Sequence, residues 1–376
     1  MLPPGIAHGL LLVALLGAVG VFLPFLPALL AAGGLSPAEV AAVLATGSAT
    51  RVISGPLGGR IADAMGDPRK VLVTAALLAG LTVGGFGLVA GVVGFLLVQA
   101  VHSMVQAPIL PIAEMLTVQG ARQGLFDYGR VRGLASLSFI VFATVSGIVV
   151  GRWGHAPLPW IVAALFLGAA LAATALPPVP RVQRRRGGLR EAIALPAFRH
   201  VLILSGLIQG SHALYYSFGT IHWLAEGHSP QVIGLLWSEG VLAEVLIFLV
   251  AARFVDKLGW RGLTMVAASF GILRWGITAS TSWLPALVLA QAMHGATFAC
   301  QHLAAMRILV SVVPAHAQAS AQTLHAAVGV GLPLGLLMLA AGPLYAAIGG
   351  AAYWAMAALC AIALVFACFA QPRGKS

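Results

Sequence analysis

Long apolar segments, separated by short polar breaks, run along the whole chain. Each has about the 20 residues that an α-helix needs to cross a bilayer. We predict twelve such spans, at residues 6–32, 37–60, 70–90, 92–119, 129–151, 157–176, 199–225, 230–252, 263–281, 284–311, 317–342 and 349–370. The breaks contain residues that end or turn helices, such as Gly33-Gly34, Asp67-Pro68 and Pro177-Pro178. The pattern therefore predicts an all-α membrane protein.

The composition agrees with a membrane location. Of the 376 residues, 60% are hydrophobic and 8% are Asp, Glu, Lys or Arg, against about 25% charged residues in soluble domains. Too few polar side chains are available to cover a folded protein in water, which excludes a soluble enzyme. The net charge of +11 likewise has no water-soluble scaffold on which to form a nucleic-acid-binding face.

Cofactor and nucleotide chemistry find no support in the motifs. The cysteines Cys300, Cys360 and Cys368 lie in apolar runs without the spacing of a metal site or a disulfide framework. The terminal Gly374-Lys375-Ser376 resembles the end of a P-loop, but that motif would need glycine where Phe369 stands. We therefore expect no cofactor, no metal and no enzymatic activity.

A short motif occurs twice, about half the chain apart. Both copies read R-x-x-D-x-x-G and follow the second span of a six-span block; they comprise Arg60, Asp63 and Gly66, and Arg253, Asp256 and Gly259. The repeat predicts two pseudo-symmetric six-helix bundles, at residues 1–176 and 199–376, joined by a basic linker at 177–198. The motif is either a helix stop, with glycine in a left-handed turn, or a clamp between the halves that controls a gate.

The basic residues predict the orientation in the membrane. One side of the membrane receives Arg60, Arg69, Lys70, Arg122, Arg130, Arg132, the cluster at 181–199, Arg253, Lys257, Arg261, Arg307, Arg373 and Lys375, and the other receives Arg152. Because Lys and Arg are enriched in cytoplasmic loops, we expect both termini in the cytoplasm and the chain in a bacterial inner membrane.

Several runs carry a family resemblance over nearly the whole chain. They are FLPF at 22–25, DYGRVR at 127–132, QGSHALYY at 209–216, LWSEGVLAEVLIF at 236–248, RWG at 274–276 and HLAAMR at 302–307. With the twelve spans and the paired loops, they resemble the major facilitator superfamily, and within it the 3-phenylpropionate transporter family near the lactose permease branch. The resemblance implies proton-coupled import of a small aromatic carboxylate, bound between the two halves. Glu239, five residues before Glu244, departs from the family pattern.

Other functions remain open on the same fold. An exporter or facilitator of a sugar, a nucleoside or a drug would share the architecture, and so would a membrane sensor that transports nothing. We expect the partners to be a small-molecule substrate, protons and the lipid bilayer, and the chain to act as a monomer.

Five ionisable residues lie well inside the predicted spans: Arg51, Glu114, Glu239, Glu244 and Arg274. A charge at the centre of a spanning helix costs about 2.5–3.5 kcal/mol on insertion scales, so each is a candidate functional residue. Glu244, Arg274 and His302 lie at similar depths on successive spans. We expect Glu244 to carry the proton, Arg274 to tune the proton affinity of Glu244, and His302 to act as a proton relay or as a hydrogen-bond donor to substrate. The alternative is a permanent Glu–Arg pair that joins two helices.

In the first half, Arg51 is the expected cation for a substrate carboxylate, because its guanidinium stays charged and binds carboxylates through two hydrogen bonds. Glu114 is a second candidate for proton coupling. The alternatives are that Arg51 simply pairs with Glu114 and that Arg132 is an interfacial residue.

Two polar stripes complete the set of candidates. Span seven carries Gln209, His212, Tyr216 and Trp223, and span ten carries Gln291, His294, Phe298 and His302. We expect Gln209, His212, Tyr216 and His294 to contact substrate, by ring stacking and hydrogen bonds. The alternative is that these side chains join neighbouring helices. Tyr215 is interpreted as a belt or packing residue.

Overall fold

The computed structural model describes residues 2–177 and 189–369, apart from the side chains of Asp63, Leu189, Ala252, Ala315, Ala319 and Ser320. Within these ranges every regular element is helical, which confirms the all-α prediction. Part of the predicted basic linker, residues 178–188, and the terminal residues 370–376 lie outside the described residues.

Seven helices precede the linker: α1 (Pro4–Ala32), α2 (Pro37–Met65), α3 (Pro68–Val83), α4 (Gly91–Gln106), α5 (Ile109–Arg122), α6 (Tyr128–Trp153) and α7 (Leu158–Thr174). Nine follow it: α8 (Leu189–Ala194), α9 (Pro196–Gly210), α10 (Ala213–Ala225), α11 (Pro230–Val250), α12 (Val255–Ser280), α13 (Leu284–Val312), α14 (Gln318–Leu324), α15 (Leu332–Ile348) and α16 (Tyr353–Phe369). Short 3₁₀ turns occupy Gly84–Gly87, Ala251–Arg253, Ala315–Ala317 and Gly349–Ala352, and a π-helix occupies His325–Gly331.

The described helices include nine that are long and apolar enough to cross a membrane, and the shorter apolar helix Leu158–Thr174. Each predicted span coincides with one helix or with consecutive helices, but the count of twelve stays a prediction. The described residues divide into two compact units. One comprises residues 2–177 with Gly227–Ser238, and the other residues 189–226 with 239–369. The segment Gly227–Ser238 thus packs with the first unit.

Two predicted spans are interrupted for identifiable chemical reasons. Span four breaks between α4 and α5 at Pro108, which lacks a backbone N–H for a helix interior. Span seven breaks between α9 and α10, where Ser211 Oγ and His212 Nδ1 both bond to the Ile208 carbonyl, at 2.7 and 3.1 Å. These side chains replace the backbone donor that would continue the helix. The second break fixes the position of the His212 ring.

The π-helix His325–Gly331 lies directly before a proline. Pro333 stands near the start of α15, where it has no N–H to donate to the carbonyl four residues earlier and its ring crowds that carbonyl. A π-helical turn widens the backbone at this point. The sequence therefore deforms span eleven locally instead of ending it.

In each unit, an equivalent arginine donates hydrogen bonds to carbonyls at the end of the last helix. Arg69 Nη1 donates to the Leu176 carbonyl, 3.0 Å away, beyond the end of α7. Arg261 Nε donates to the Ala367 carbonyl at 2.8 Å, near the end of α16, and its Nη2 donates to the Cys368 carbonyl. Basic groups stabilise helix C-termini because the last carbonyls lack helical donors. Each arginine follows an R-x-x-D-x-x-G loop, so the halves repeat in contacts as well as in sequence.

Close helix packing in the first unit depends on glycine at position 20. A Cβ on Gly20 of α1 would lie 2.6 Å from the Phe139 carbonyl oxygen of α6, whereas a Cβ on Gly9 of the same helix meets nothing within 4 Å. We expect Gly20→Ala to destabilise the protein by about 1–3 kcal/mol through overpacking. Thermal unfolding in detergent measures this, with Gly9→Ala as the matched control. Equal unfolding temperatures for the two variants would contradict the packing described here.

Candidate functional site

The second unit buries an arginine among neutral partners. Arg274 of α12 has no exposed side-chain surface. Its Nη1 contacts His294 Nδ1 at 2.9 Å and Thr297 Oγ1 at 3.4 Å, and its Nη2 donates to Gln291 Oε1 at 3.0 Å. These three partners lie on α13. Hydrogen bonds from α13 therefore hold the cation at a fixed position inside the unit.

The contact with Arg274 determines the protonation of His294. A guanidinium can only donate, so Nδ1 of His294 must accept, and a neutral ring then carries its proton on Nε2. That Nε2 lies 3.8 Å from Glu244 Oε2 on α11, longer than a hydrogen bond. His294 thus stands between a buried cation and a carboxylate whose side chain is 23% exposed. A second proton on His294 would have to enter Nδ1 and displace Arg274.

One glycine allows α11 and α13 to approach this closely. A Cβ on Gly295 would lie 2.5 Å from the Ala243 carbonyl oxygen, whereas one on Gly240 would make an ordinary contact, 3.5 Å from His294 Cβ. Because residues 243 and 295 adjoin Glu244 and His294, the close backbone approach brings the carboxylate to the imidazole. Glu239, one residue before Gly240, is partly buried.

Two aromatic rings contact the guanidinium. Its Cζ lies 4.9 Å from the Tyr215 ring centroid and 4.2 Å from that of Trp275, within cation–π range. Tyr215 Oη accepts from Gln291 Nε2 at 2.8 Å, and Trp275 Nε1 donates to Ser211 Oγ at 2.9 Å. Both rings are therefore held by hydrogen bonds as well as by packing.

The predicted stripe residues of α9 and α10 divide into two groups. His212 is buried, its Nε2 lies 3.4 Å from Thr297 Oγ1, and its ring lies 5.4 Å from that of His294. Tyr216 packs on His212 at 5.7 Å between ring centroids. Gln209 instead donates to the Phe298 carbonyl at 3.3 Å and joins two helices. His212 and Tyr216 thus adjoin the Arg274 cluster.

His302 does not take the position that the sequence suggested. Its ring packs against Phe248 at 6.1 Å, and the imidazole that bonds to Arg274 is His294, eight residues earlier on α13. At about 1.5 Å per residue the two histidines are separated by about 12 Å along the helix. The expected contact of Glu244, Arg274 and His302 is replaced by one of Glu244, His294 and Arg274.

In the first unit, Glu114 pairs with Arg132 rather than with Arg51. Arg132 Nε lies 3.1 Å from Glu114 Oε1, and Tyr128 Oη donates to Glu114 Oε2 at 3.2 Å. Arg51 of α2 is exposed and donates to Ser48 Oγ at 3.3 Å. The exposed guanidinium of Arg51 keeps donors available for a ligand. Arg132 forms a partly buried ion pair with Glu114, and its interfacial position stays a prediction.

The two R-x-x-D-x-x-G loops place their glycines in left-handed conformations, with φ of 66° at Gly66 and 61° at Gly259. Gly66 caps α2 in a left-handed turn, as the helix-stop interpretation requires, whereas Gly259, with ψ of −179°, forms a kink inside α12. Asp256 Oδ1 lies 2.6 Å from Arg307 Nη1, an exposed pair worth about 1 kcal/mol or less.

The remaining motif residues give less information. Arg60 and Arg253 are exposed. The side chain of Asp63 lies outside the described residues. The Arg69 hydrogen bond lowers the pKa of the neighbouring Asp67 carboxyl, in the loop after Gly66. The gating role of the motif stays a prediction.

Comparison with known proteins identifies the family. The profile of the MFS_1 like family matches residues 9–356. This chain belongs to that family. The MFS_1 like chain is 32% identical over 346 residues to the probable 3-phenylpropionic acid transporter of Escherichia coli (strain K12), which covers 90% of each chain. It is 26% identical over 307 residues to the maltose permease of Geobacillus stearothermophilus, covering 79% of this chain and 76% of the permease.

Solved structures agree on the fold of the MFS_1 like chain. The crystal structure of the nucleoside transporter NupG matches it with a TM-score of 0.84 at 18% identity, over 97% of this chain and 98% of NupG. The predicted major facilitator fold is therefore confirmed. Like its relatives, the MFS_1 like chain is a multi-pass membrane transporter of small molecules, and it is not an enzyme.

Proposed function

We propose that this MFS_1 like chain is a proton-coupled symporter that imports a small aromatic carboxylate. The observation that carries the proposal is Arg274, a fully buried cation held by neutral side chains and linked to the Glu244 carboxylate by a single imidazole. Such a charge inside a spanning helix is costly. The presence of this buried charge is explained if a proton and an anionic substrate bind there together.

The coupling follows from the hydrogen-bond roles. Protonation of Glu244 removes the negative charge opposite His294 Nε2. With that charge gone, a substrate carboxylate replaces the neutral His294 Nδ1 as the acceptor of Arg274 Nη1. The guanidinium then binds the carboxylate through two parallel hydrogen bonds. Loss of the proton restores the Arg274–His294 contact and expels the carboxylate, so proton and substrate move together.

The substrate class follows from the rings around the cation. Tyr215, Tyr216 and Trp275 offer aromatic faces next to a carboxylate-binding group, which suits an aryl ring joined to a carboxylate by a short chain. The name of the Escherichia coli relative, a probable 3-phenylpropionic acid transporter, agrees with this class. In the first unit, the exposed Arg51 is the second proposed contact for substrate, and Glu114 in its pair with Arg132 is a second coupling candidate.

The remaining assignments complete the proposal. The chain acts as a monomer in a bacterial inner membrane, with both termini in the cytoplasm because the basic loops lie on that side. The two R-x-x-D-x-x-G loops control which side of the membrane is open.

Uptake by purified protein in proteoliposomes tests the function. We expect saturable uptake of labelled 3-phenylpropionate, with an initial rate several-fold higher when an interior-alkaline gradient of one pH unit supplies about 1.4 kcal/mol per proton. Protein-free liposomes correct for diffusion of the neutral acid. Uptake that is saturable but indifferent to the gradient would indicate a facilitator. Uptake of maltose or a nucleoside instead would replace the proposed substrate class.

A further inference from the structure

In the described part of the second unit, five buried side-chain donors have no hydrogen-bond partner. Two are the hydroxyls of Ser217 and Thr264, and the other three are Nε of Arg274, Nε1 of Trp223 and Oη of Tyr353. The side chains are at most 1% exposed. Buried polar groups are normally paired, and each exception requires a physical explanation. An unpaired donor costs about 1–3 kcal/mol.

The last three groups belong to one aromatic cluster. The Arg274 guanidinium contacts the rings of both Tyr215 and Trp275. Beyond them, Trp223 packs on Tyr215 at 5.8 Å and Tyr353 stacks on Trp275 at 5.7 Å between ring centroids. Tyr353 Oη lies 3.5 Å from the point where a Cβ would stand on residue 219 of α10, a glycine one helical turn before Trp223.

We propose that this cluster binds a small monovalent anion. An arginine Nε–H and an indole N–H can only donate, and a tyrosine hydroxyl can donate, so the missing group is an acceptor. The described hydrogen bonds of Arg274 leave its positive charge among neutral partners. In a low-dielectric interior an anion beside the guanidinium balances that charge, which water cannot do.

Two sources of this chemistry exist, an inorganic anion such as chloride and the carboxylate of the proposed substrate. The inference goes beyond the proposed function, because it concerns binding to the resting protein. A transporter with another substrate would still have the same unpaired donors. Binding measurements therefore separate its failure from a failure of the proposed function.

The test compares unfolding temperatures in detergent in sodium chloride, in sodium gluconate at equal ionic strength, and in gluconate with 3-phenylpropionate. We expect chloride to raise the unfolding temperature of the unmodified protein in proportion to ln(1 + [chloride]/Kd), by about 4 °C when chloride is at about ten times its Kd. Tyr353→Phe and Trp223→Phe keep the packed rings but remove one donor each, and should lose at least about half of that shift. Trp283→Phe, at an exposed tryptophan of the same unit, should keep it.

The sign of the effect in gluconate is a second criterion. With no acceptor bound, Tyr353→Phe removes an unsatisfied donor and should leave the unfolding temperature unchanged or higher, whereas in chloride it should lower it. A shift with 3-phenylpropionate alone, abolished in the same variants, would assign the donors to the substrate carboxylate and support the anion site. If neither anion stabilises the unmodified protein, or if the variants respond as it does, the proposal is overturned.

Discussion

Glu244→Gln is expected to retain exchange of substrate across the membrane while losing the acceleration of net uptake by a pH gradient. Glutamine has the same shape as protonated glutamate but cannot release a proton. The carrier would therefore behave as permanently loaded at the position facing His294 Nε2. Counterflow and gradient-driven initial rates, measured on the same proteoliposomes and corrected with protein-free vesicles, should differ by at least about tenfold in the variant.

Glu226→Gln is the matched control for this change. Glu226 lies exposed at the end of α10, where it accepts from Ser282 Oγ at 2.8 Å, and it takes no part in the proposed coupling. Its variant should respond to the gradient as the unmodified protein does. Full acceleration of net uptake in Glu244→Gln would remove Glu244 from the coupling mechanism.

Arg274→Lys is expected to reduce both exchange and net uptake by about 100-fold in kcat/KM, equivalent to about 2.7 kcal/mol. Lysine keeps the charge, but one ammonium cannot reproduce the planar fork that reaches His294 and Gln291 together. It also cannot offer two parallel donors to a carboxylate. The loss should appear in exchange as well, which distinguishes this variant from Glu244→Gln.

Arg152→Lys, at an exposed arginine in the last turn of α6, serves as the control for the same substitution. Size-exclusion profiles and unfolding temperatures show whether the Arg274 variant is folded. Near-normal exchange by folded Arg274→Lys would mean that the buried guanidinium only joins α12 to α13.

Much of the fold follows from the sequence, because hydrophobic length determines what can cross a bilayer. Helix ends agree with the predicted stop at Gly66 and the predicted break at Asp67-Pro68, where Gly and Pro provide the signal, although the predicted second span ends at residue 60. The break in span seven was not anticipated. It depends on Ser211 and His212 both reaching the carbonyl of Ile208, a local competition that hydropathy does not register.

The site was predictable in its charges but not in its partners. Arg274 and Glu244 stand out because ions are rare inside spans. His294 and His302 lie on one stripe of α13, and their distance from Arg274 depends on helix depth, which sequence gives only within several residues. The sequence favours a belt or packing role for Tyr215, whereas in the structure its hydroxyl accepts a hydrogen bond from Gln291 beside Arg274. The polar stripe containing Gln291 was the available signal for that contact.

The central claim is that binding of an anionic substrate at Arg274 is coupled, through His294, to protonation of Glu244. Proton uptake on addition of 3-phenylpropionate to weakly buffered protein in detergent, followed with a pH indicator, tests it without membrane diffusion. Because the free acid is ionised at neutral pH, the account predicts uptake of about one proton per substrate bound, and none in Glu244→Gln. Saturable binding without proton uptake, or equal uptake in the variant, would contradict it.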